Sequence, residues 1–257
     1  MRFQIDINCD LGESYGAFRV GNDAEIMPHI TSANVACGFH AGDPMTMAQT
    51  VSLAKKCNVA VGAHPGYSDL LGFGRREMLL TSEEIKNYVR YQMGALQGFA
   101  RAAGVSLQHV KPHGALYNTA AKNAEASRGV VEAVKTFDDK LIILAPPKSE
   151  LARVAADAGL QVAHEFFADR AYNADGSLVS RAQSNAMVEE PKEVLERAVI
   201  MVREKTVLAT NGQVVKLGDV HTICVHGDTP AAVRLVETLK KGLIKAGVEV
   251  KPLRSFI

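Results

Sequence analysis

Short apolar runs alternate with longer amphipathic stretches along most of the chain. Seven of these runs are candidate strands, and most of them are bounded by glycine, proline or aspartate, which is typical of strands that are buried on both faces of a sheet. The predicted strands cover residues 3–8, 32–37, 59–63, 107–111, 141–145, 161–165 and 221–225.

The stretches between the apolar runs carry helix signals. Asp43 and Pro44 are typical of an N-cap and a first helical position, and they predict a helix that runs to Lys55. A second predicted helix opens at Thr81 and stops before Gly104. Further helices are predicted over residues 123–136, 148–158, 191–209 and 229–246, the last with Asp228 as its cap.

The order of the predicted elements indicates a parallel sheet with right-handed crossovers, either a closed barrel or an open doubly wound sheet. Polar residues follow nearly every strand, in the segments NCDLGE, FHAGDP, AHPGY, KPHGAL, EFFADR and VHGDTP. An open sheet concentrates its site at one switch point, whereas a barrel brings all its strand ends to one mouth. We therefore predict one α/β domain over residues 1–257, a distorted (βα) barrel of about seven parallel strands.

The first strand has two different faces. Alternation places Phe3 and Ile7 on one side and Asp6, Asn8 and Asp10 on the other. Three polar residues on one face fit the interior or mouth of a barrel better than a layer of apolar helices. We interpret Asp10, which lies at the strand end, as functional.

Four histidines occupy equivalent positions after strands and beside glycine: His40, His64, His113 and His226. Imidazoles and carboxylates at one mouth suit proton transfer or a divalent metal. Asp10 with His40 and His64 would supply three metal ligands and leave a coordination position open. The remaining histidines lie off this pattern and are interpreted as structural: His29, His109, His164 and His221.

Cationic side chains lie near the same strand ends. Lys111 would be costly to bury unless it meets an anion, so it either holds a carboxylate or phosphate, polarises a carbonyl, or lies solvated in a loop. Arg75 and Arg76 close the loop GYSDLLGFGRR, which can act as a lid whose arginines clamp an acidic substrate. Glu165 and Asp169 follow the sixth strand and are candidate ligands for a substrate.

Composition narrows the classes of function. With 29 Lys and Arg against 28 Asp and Glu, no overall charge favours nucleic acid, and no apolar stretch is long enough to span a membrane. The start MRFQIDINCD resembles neither a signal peptide nor a transit peptide, so we expect a cytoplasmic protein. The four cysteines form no C-x-x-C pair, and the chain has no P-loop and no G-x-S-x-G motif.

The segments DINCDLGE, SANVACGFHAGDP, VGAHPGYSDLLGFGRR, VKPHGALYN, EFFADRAY, GSLVSR and CVHGD occur in this order over nearly the whole chain. Together they resemble the LamB/YcsF family. The resemblance implies a barrel similar to those of the glycoside hydrolase/deacetylase group. It also implies the opening of 5-oxo-L-proline to L-glutamate with ATP as co-substrate, in a 5-oxoprolinase that requires subunits B and C.

Such a reaction needs a general base, a group on the carbonyl or phosphoryl oxygen, and a clamp for the substrate carboxylate. We hypothesise that Asp10 or His113 acts as base or acid and that Lys111 contacts the carbonyl or phosphoryl oxygen. The predicted substrate contacts are Asn8, Glu13, Arg75, Arg76, Glu165, Asp169 and His226.

Two alternatives stay open at this point. The same Asp and His residues could serve a metal-dependent amidase or deacetylase that acts alone, or the chain could be a binding or scaffolding subunit whose partners do the chemistry. Self-association into a homo-oligomer is also open.

Overall fold

A computed structural model describes residues 3–181, 183–226 and 232–257. The strands are β1 (Phe3–Leu11), β2 (Ser32–Ala36), β3 (Ala60–His64), β4 (Leu107–Val110), β5 (Ile142–Ala145), β6 (Val162–Phe167), β7 (Thr206–Leu208), β8 (Val214–Lys216), β9 (Thr222–Val225) and β10 (Val248–Val250). The α-helices are α1 (Asp23–Ile26), α2 (Pro44–Lys56), α3 (Ser82–Ala103), α4 (Gly114–Lys122), α5 (Ala124–Phe137), α6 (Glu150–Asp157), α7 (Pro191–Glu204) and α8 (Ala232–Lys245).

Seven parallel strands close into a barrel in the order β1-β2-β3-β4-β5-β6-β9, because β9 pairs with both β6 and β1. The start of β1 pairs with β10, from Phe3 beside Val248 to Ile5 beside Val250. From Asp6 to Cys9, β1 pairs with β9 instead. The predicted α/β barrel of about seven parallel strands is therefore confirmed.

Helix boundaries follow the local signals in the sequence. The Asp43 side chain accepts a hydrogen bond from the Thr46 amide at the start of α2. Thr81 and Glu84 form a capping box that opens α3, and Gly104 ends this helix in the left-handed conformation at φ 69°. These caps satisfy backbone groups that the first and last turns of a helix leave without partners.

One predicted helix end was wrong, and two helices were missed. The helix predicted over residues 191–209 ends at Glu204, because Lys205 takes a left-handed φ of 61° and β7 then pairs antiparallel with β8. Helices α1 and α4 were not predicted. Asp228 and the start of the helix predicted over residues 229–246 lie outside the described residues, within which α8 begins at Ala232.

The two faces of β1 separate an apolar layer from a polar interior. Ile5 and Ile7 are fully buried in the main hydrophobic cluster, together with apolar side chains of the surrounding helices. Asp6 and Asn8 are also fully buried, but they point into the barrel, as the alternation predicts. Asp10 continues this inward face to the mouth. No helix in the described part of the chain has both the length and the apolar character needed to cross a bilayer.

Candidate functional site

A cavity of about 560 Å³ opens at the carboxyl ends of the barrel strands. The strand ends contribute Asp10, Glu13, His64, Lys111, His113 and His226 to its wall, and the loops and α4 contribute residues that include Arg75, Tyr117, Lys122, Arg170 and Arg181. The side chains that follow the strands in sequence therefore meet at one place, which is the geometry expected of a barrel.

Lys111 lies at the base of this cavity, and its side chain is only 3% exposed. Its Nζ is 3.0 Å from Asp10 Oδ1, 2.9 Å from Glu165 Oε1 and 3.2 Å from Asn8 Oδ1. Burial alone would lower the pKa of Lys111, but the nearby Asp10, Cys224 and Glu165 outweigh it and hold the pKa well above its usual value. Lys111 is therefore a buried ammonium group that donates into the site.

Asp10 is the carboxylate that faces both Lys111 and the histidines. Its Oδ2 is 3.3 Å from His64 Nε2, while its Oδ1 is bound by Lys111. Burial raises the pKa of Asp10, but His64 and Lys111 together hold it well below the usual range. Asp10 is therefore ionised and can accept a proton or a hydrogen bond.

Glu165 lies behind Lys111 and is not part of the cavity wall. Its Oε1 accepts hydrogen bonds from Lys111 and from Asn8 Nδ2, and its Oε2 accepts one from the Tyr117 hydroxyl at 2.7 Å. Burial and then the charge of Glu165 raise the pKa of Tyr117, which keeps the phenol as a donor. Asn8 and Glu165 were predicted to contact substrate, but this placement suits them to orient Lys111 instead.

Three histidines and a glutamate pack against one another beside Asp10. The rings of His40 and His113 are stacked with centroids 3.7 Å apart, and His113 Nδ1 is 2.9 Å from His64 Nε2. Glu13 Oε1 lies 3.2 Å from His40 Nε2 and 3.4 Å from His113 Nδ1. The four residues thus form one compact group, which we call the histidine cluster.

Backbone carbonyls determine which nitrogens of two rings face each other. The Nδ1–H of His64 donates to the Lys111 carbonyl, and the Nε2–H of His113 donates to the Phe73 carbonyl. A carbonyl oxygen only accepts, so the facing nitrogens of His64 and His113 can share a proton or turn their lone pairs to a cation. Burial, followed by the neighbouring imidazoles, lowers the pKa of His40 and His113 well below its usual value.

The donors of the histidine cluster fit a divalent transition metal. One ligand atom from each of Glu13, His40, His64 and His113 lies within 4.8 Å of all the others. Neutral imidazoles with a carboxylate are a common donor set for such ions. His40 Nδ1 has no hydrogen-bond partner among the described residues, so no such bond at that nitrogen fixes its tautomer.

This donor set differs from the one that we predicted. His40 and His64 do lie together, but Glu13 and His113 join them, and Asp10 falls in a second group with Cys224 and His226. The difference arises because Glu13 reaches back over the mouth from the loop after β1, which alternation along the strand does not describe.

Glycines in the loop after β3 make room for the stacked rings. A Cβ atom on Gly66 would lie 2.7 Å from His40 Nδ1, and one on Gly74 would lie 2.6 Å from His40 Cβ. Gly74 also has a left-handed φ of 63°. At these two positions the glycines therefore admit the imidazole rings rather than a ligand.

The opposite wall of the cavity holds His226. Asp169 Oδ2 accepts hydrogen bonds from the His226 amide at 2.9 Å and from His226 Nδ1 at 2.8 Å. Asp169 is absent from the cavity wall, so it orients His226 and does not reach a substrate itself. Arg170 donates to the carbonyls of Val179 and Ala186 and so supports the loop that follows β6.

The two neighbouring arginines of the glycine-rich loop have different positions. Arg75 lines the cavity and lies over the Phe73 ring at 5.1 Å. Arg76 pairs with Asp69 of the same loop, and its side chain is 67% exposed and outside the cavity wall. Of the two predicted clamps, only Arg75 is placed to meet a ligand.

Several polar residues around Lys111 are absent from the predicted site. Tyr117 lies four residues after His113 on the unpredicted α4. Asn34 is the only polar side chain between Ala33 and Ala36 of β2, a signal comparable to that of β1. Cys224, which we interpreted as a small apolar residue, has its Sγ 3.0 Å from Lys111 Nζ.

Known proteins resemble this chain over its whole length. The LamB/YcsF family matches residues 5–257. A protein of Pyrococcus abyssi named as the A subunit of 5-oxoprolinase is 54% identical over 254 residues, which are 99% of each chain. A protein of the same name from Fusobacterium nucleatum is 48% identical over 257 residues, which are 100% of both chains.

Solved structures extend this likeness to the fold. The lactam utilization protein of Thermus thermophilus is 46% identical and superposes with a TM-score of 0.91, covering 96% of this chain and 99% of that one. The T48 deacetylase is 15% identical with a TM-score of 0.51, covering 98% of this chain and 89% of that one, and this likeness shows a shared barrel alone. The family match and the identities show that this chain belongs to the LamB/YcsF family.

Proposed function

We propose that the chain is the A subunit of an ATP-dependent 5-oxoprolinase, which opens 5-oxo-L-proline to L-glutamate together with subunits B and C. Relatives at 48–54% identity that are named as the A subunit of 5-oxoprolinase support this proposal. The observation that carries it is the buried Lys111 ammonium beside the ionised Asp10 at the base of the cavity.

A five-membered lactam is an unreactive amide, so its opening needs activation. In the proposed reaction a phosphoryl group passes from ATP to the lactam oxygen, which leaves ADP. Water adds to the ring carbon, the carbon–nitrogen bond breaks and the nitrogen takes up a proton, which gives an acyl phosphate. A second water then releases phosphate and L-glutamate, so that one ATP and two waters are consumed.

The residues of this chain suit the hydrolytic steps. Asp10 would accept a proton from the attacking water, and Lys111, 3.0 Å away, would donate to the carbonyl or phosphoryl oxygen. While the histidine cluster holds no metal ion, His113 or His64 would return a proton to the ring nitrogen through their shared contact. Arg75 would bind the substrate carboxylate from the rim of the cavity.

Substitution of Lys111 and of Asp10, one at a time, tests this assignment. We expect Lys111→Ala and Asp10→Asn each to lower glutamate release by about 100-fold or more in the complete complex with ATP. Lys56→Ala, which alters an exposed lysine at the end of α2, is the control and keeps full activity. Full activity in both site variants would refute the proposal.

We also propose that the histidine cluster binds a divalent transition metal. Glu13, His40, His64 and His113 would hold the ion, which would supply a Lewis acid that polarises a bound oxygen. Elemental analysis after incubation with Zn²⁺ or Co²⁺ should find about one ion per chain and clearly less in Glu13→Gln and His40→Ala. His221→Ala, which alters a histidine outside the cavity wall, should retain the ion. Equal metal content in all of these proteins would contradict the assignment.

A metal-dependent amidase or deacetylase is the second candidate function. The histidine cluster and the barrel shared with a deacetylase favour it. Hydrolysis of an acetylated sugar by the metal-loaded chain without ATP and without other subunits would support this candidate. Glutamate release only in the complete complex with ATP would support the oxoprolinase. A binding or scaffolding role predicts full activity in the site variants as long as the complex assembles.

A further inference from the structure

Below the cavity, the barrel interior holds a hydrogen-bonded chain of side chains that the proposed reaction does not use. Asn34 on β2 lies beside Asp10 in the parallel pairing with β1 and is fully buried. Its Nδ2 donates to Asp10 Oδ1 at 2.8 Å and to Asn8 Oδ1 at 2.7 Å. Both of these oxygens also accept from Lys111, so Asn34 holds the two partners of the ammonium group from the other side.

His109 determines which way the Asn34 amide points. Asn34 Oδ1 lies 2.7 Å from His109 Nε2. The imidazole proton is on Nε2 because Nδ1 accepts from Gln108 Nε2, and the Arg254 N–H that donates to Gln108 Oε1 fixes the orientation of that amide. A flipped amide would turn its oxygen to the Asp10 carboxylate and its hydrogens to the N–H of His109. Both contacts would be repulsive, and the orientation that donates to Asp10 is therefore the stable one.

The contacts at His109 Nδ1, on the opposite side of the ring, are consistent with this tautomer. Gln108 Nε2 donates to His109 Nδ1 at 3.2 Å and to Ser32 Oγ at 3.0 Å. The Ser32 hydroxyl in turn donates to Asp6 Oδ1 at 2.7 Å. Burial first, and then the charge of Lys111, lower the pKa of His109 to about 3, which keeps the ring neutral. Every donor in this chain of contacts therefore meets an acceptor.

The backbone of β3 is shaped around the His109 ring. A Cβ atom on Gly62 would lie 2.0 Å from His109 Nε2, which no small adjustment could relieve. Since His109 is fully buried, the ring has no alternative place in solvent. Glycine at this position is what allows an imidazole inside the barrel.

We propose that Asn34 and His109 are positioning residues, which hold Asp10 and Lys111 in the geometry that the reaction needs. His109 sets the direction of the Asn34 amide, and Asn34 sets the directions of the Asp10 and Asn8 side chains around the ammonium group. The inference rests on the proposed function, in which Asp10 and Lys111 act on the substrate, but its geometric part can be tested without activity.

The tautomer of His109 is the first test. Nitrogen-15 NMR of the full chain, with His109 assigned by comparison with a His109→Gln sample, should show a neutral ring with its proton on Nε2. A proton on Nδ1, or a charged ring at neutral pH, would overturn the inference whether or not any variant folds. In Asn34→Leu the Nε2 signal should shift, because its acceptor is lost.

Matched variants at His109 are the second test. His109→Leu removes the donor, whereas the side-chain amide of Gln can reach the position of Nε2 and restore it. We expect His109→Leu and Asn34→Asp to lower kcat by about 10- to 100-fold with little change in KM, since a small misplacement costs rate and not binding. His109→Gln should recover most of that loss, and the control His221→Leu should leave kcat unchanged.

The outcomes separate the inference from the proposed function. Equal losses in His109→Leu and His109→Gln, or a rise in KM without a fall in kcat, would overturn the positioning role. Failure of the wild-type complex to release glutamate would refute the proposed function instead, and the NMR result would still decide the tautomer and the direction of the amide.

Discussion

Asp6 and Asp10 lie on the same inward face of β1, four residues apart, and their pKa values are shifted in opposite directions from the usual aspartate value. Asp6 accepts hydrogen bonds from the hydroxyls of Thr31, Ser32 and Thr222. Burial nevertheless raises its pKa to about 6, because these neutral donors offset only part of the cost of a buried charge. Asp10 is held well below the usual range.

The difference lies in the charge of the partners. Asp10 contacts His64 and the Lys111 ammonium, whereas the three partners of Asp6 are neutral hydroxyls. A cation nearby stabilises the carboxylate more than a hydroxyl does, and so Asp10 stays ionised at the mouth. One strand thus supplies a carboxylate suited to proton transfer and, deeper in the barrel, a carboxyl group that serves the structure.

Removal of the Lys111 ammonium group should change the stability of the protein most. Lys111→Met would leave Asp10 and Glu165 buried without their partner, and we expect it to lower the free energy of unfolding by about 3–5 kcal/mol. Urea denaturation measures this change. The double variant Lys111→Met, Glu165→Gln should be more stable than the single variant, because it removes one uncompensated charge. A single variant as stable as the wild type would show that charge pairing does not distinguish Asp10 from Asp6.

The second prediction is that Asp6 makes the stability of the protein depend on pH. Since the pKa of Asp6 is raised in the folded state, its contribution to stability is fully present below about pH 4 and is lost as the pH rises through about 6. The stability of the wild type relative to Asp6→Asn should therefore fall by about 3 kcal/mol between about pH 4 and about pH 7.

Urea denaturation across this pH range measures the effect of Asp6. Asp139→Asn, which alters an exposed aspartate, is the matched control and should parallel the wild type at every pH. A difference between wild type and Asp6→Asn that stays constant with pH would mean that folding does not shift the pKa of Asp6.

A weaker effect is expected from Arg75 and Arg76, two neighbouring arginines that have different partners. Arg75→Ala should raise the KM for 5-oxo-L-proline by about tenfold, the loss expected for one charge-assisted hydrogen bond to a carboxylate. Arg76→Ala should leave KM unchanged, because Arg76 pairs with Asp69 outside the cavity wall. Steady-state kinetics of the complete complex compares the two, and equal KM values for both variants would remove Arg75 from the substrate site.

Much of the fold could be predicted because it follows from local rules. The period of two along β1 predicts which residues face the interior, and the caps of α2 and α3 predict where these helices begin. The repeated polar segments after strands predict a common mouth, since parallel strands in a barrel end on one side. The short hairpin of β7 and β8 was missed because its strands cover only three residues each.

The class of the fold, the family and the polar residues at the strand ends can all be recognised from the order of residues along the chain. Three placements depend on the folded barrel: Glu13 joins the histidine cluster, Glu165 lies behind Lys111, and Arg75 but not Arg76 faces the cavity. Alternation and capping act between neighbours in the chain and can be recognised there. Contacts, tautomers and pKa values depend on how far the barrel brings distant residues together and how completely it removes them from water, and no local pattern contains that information.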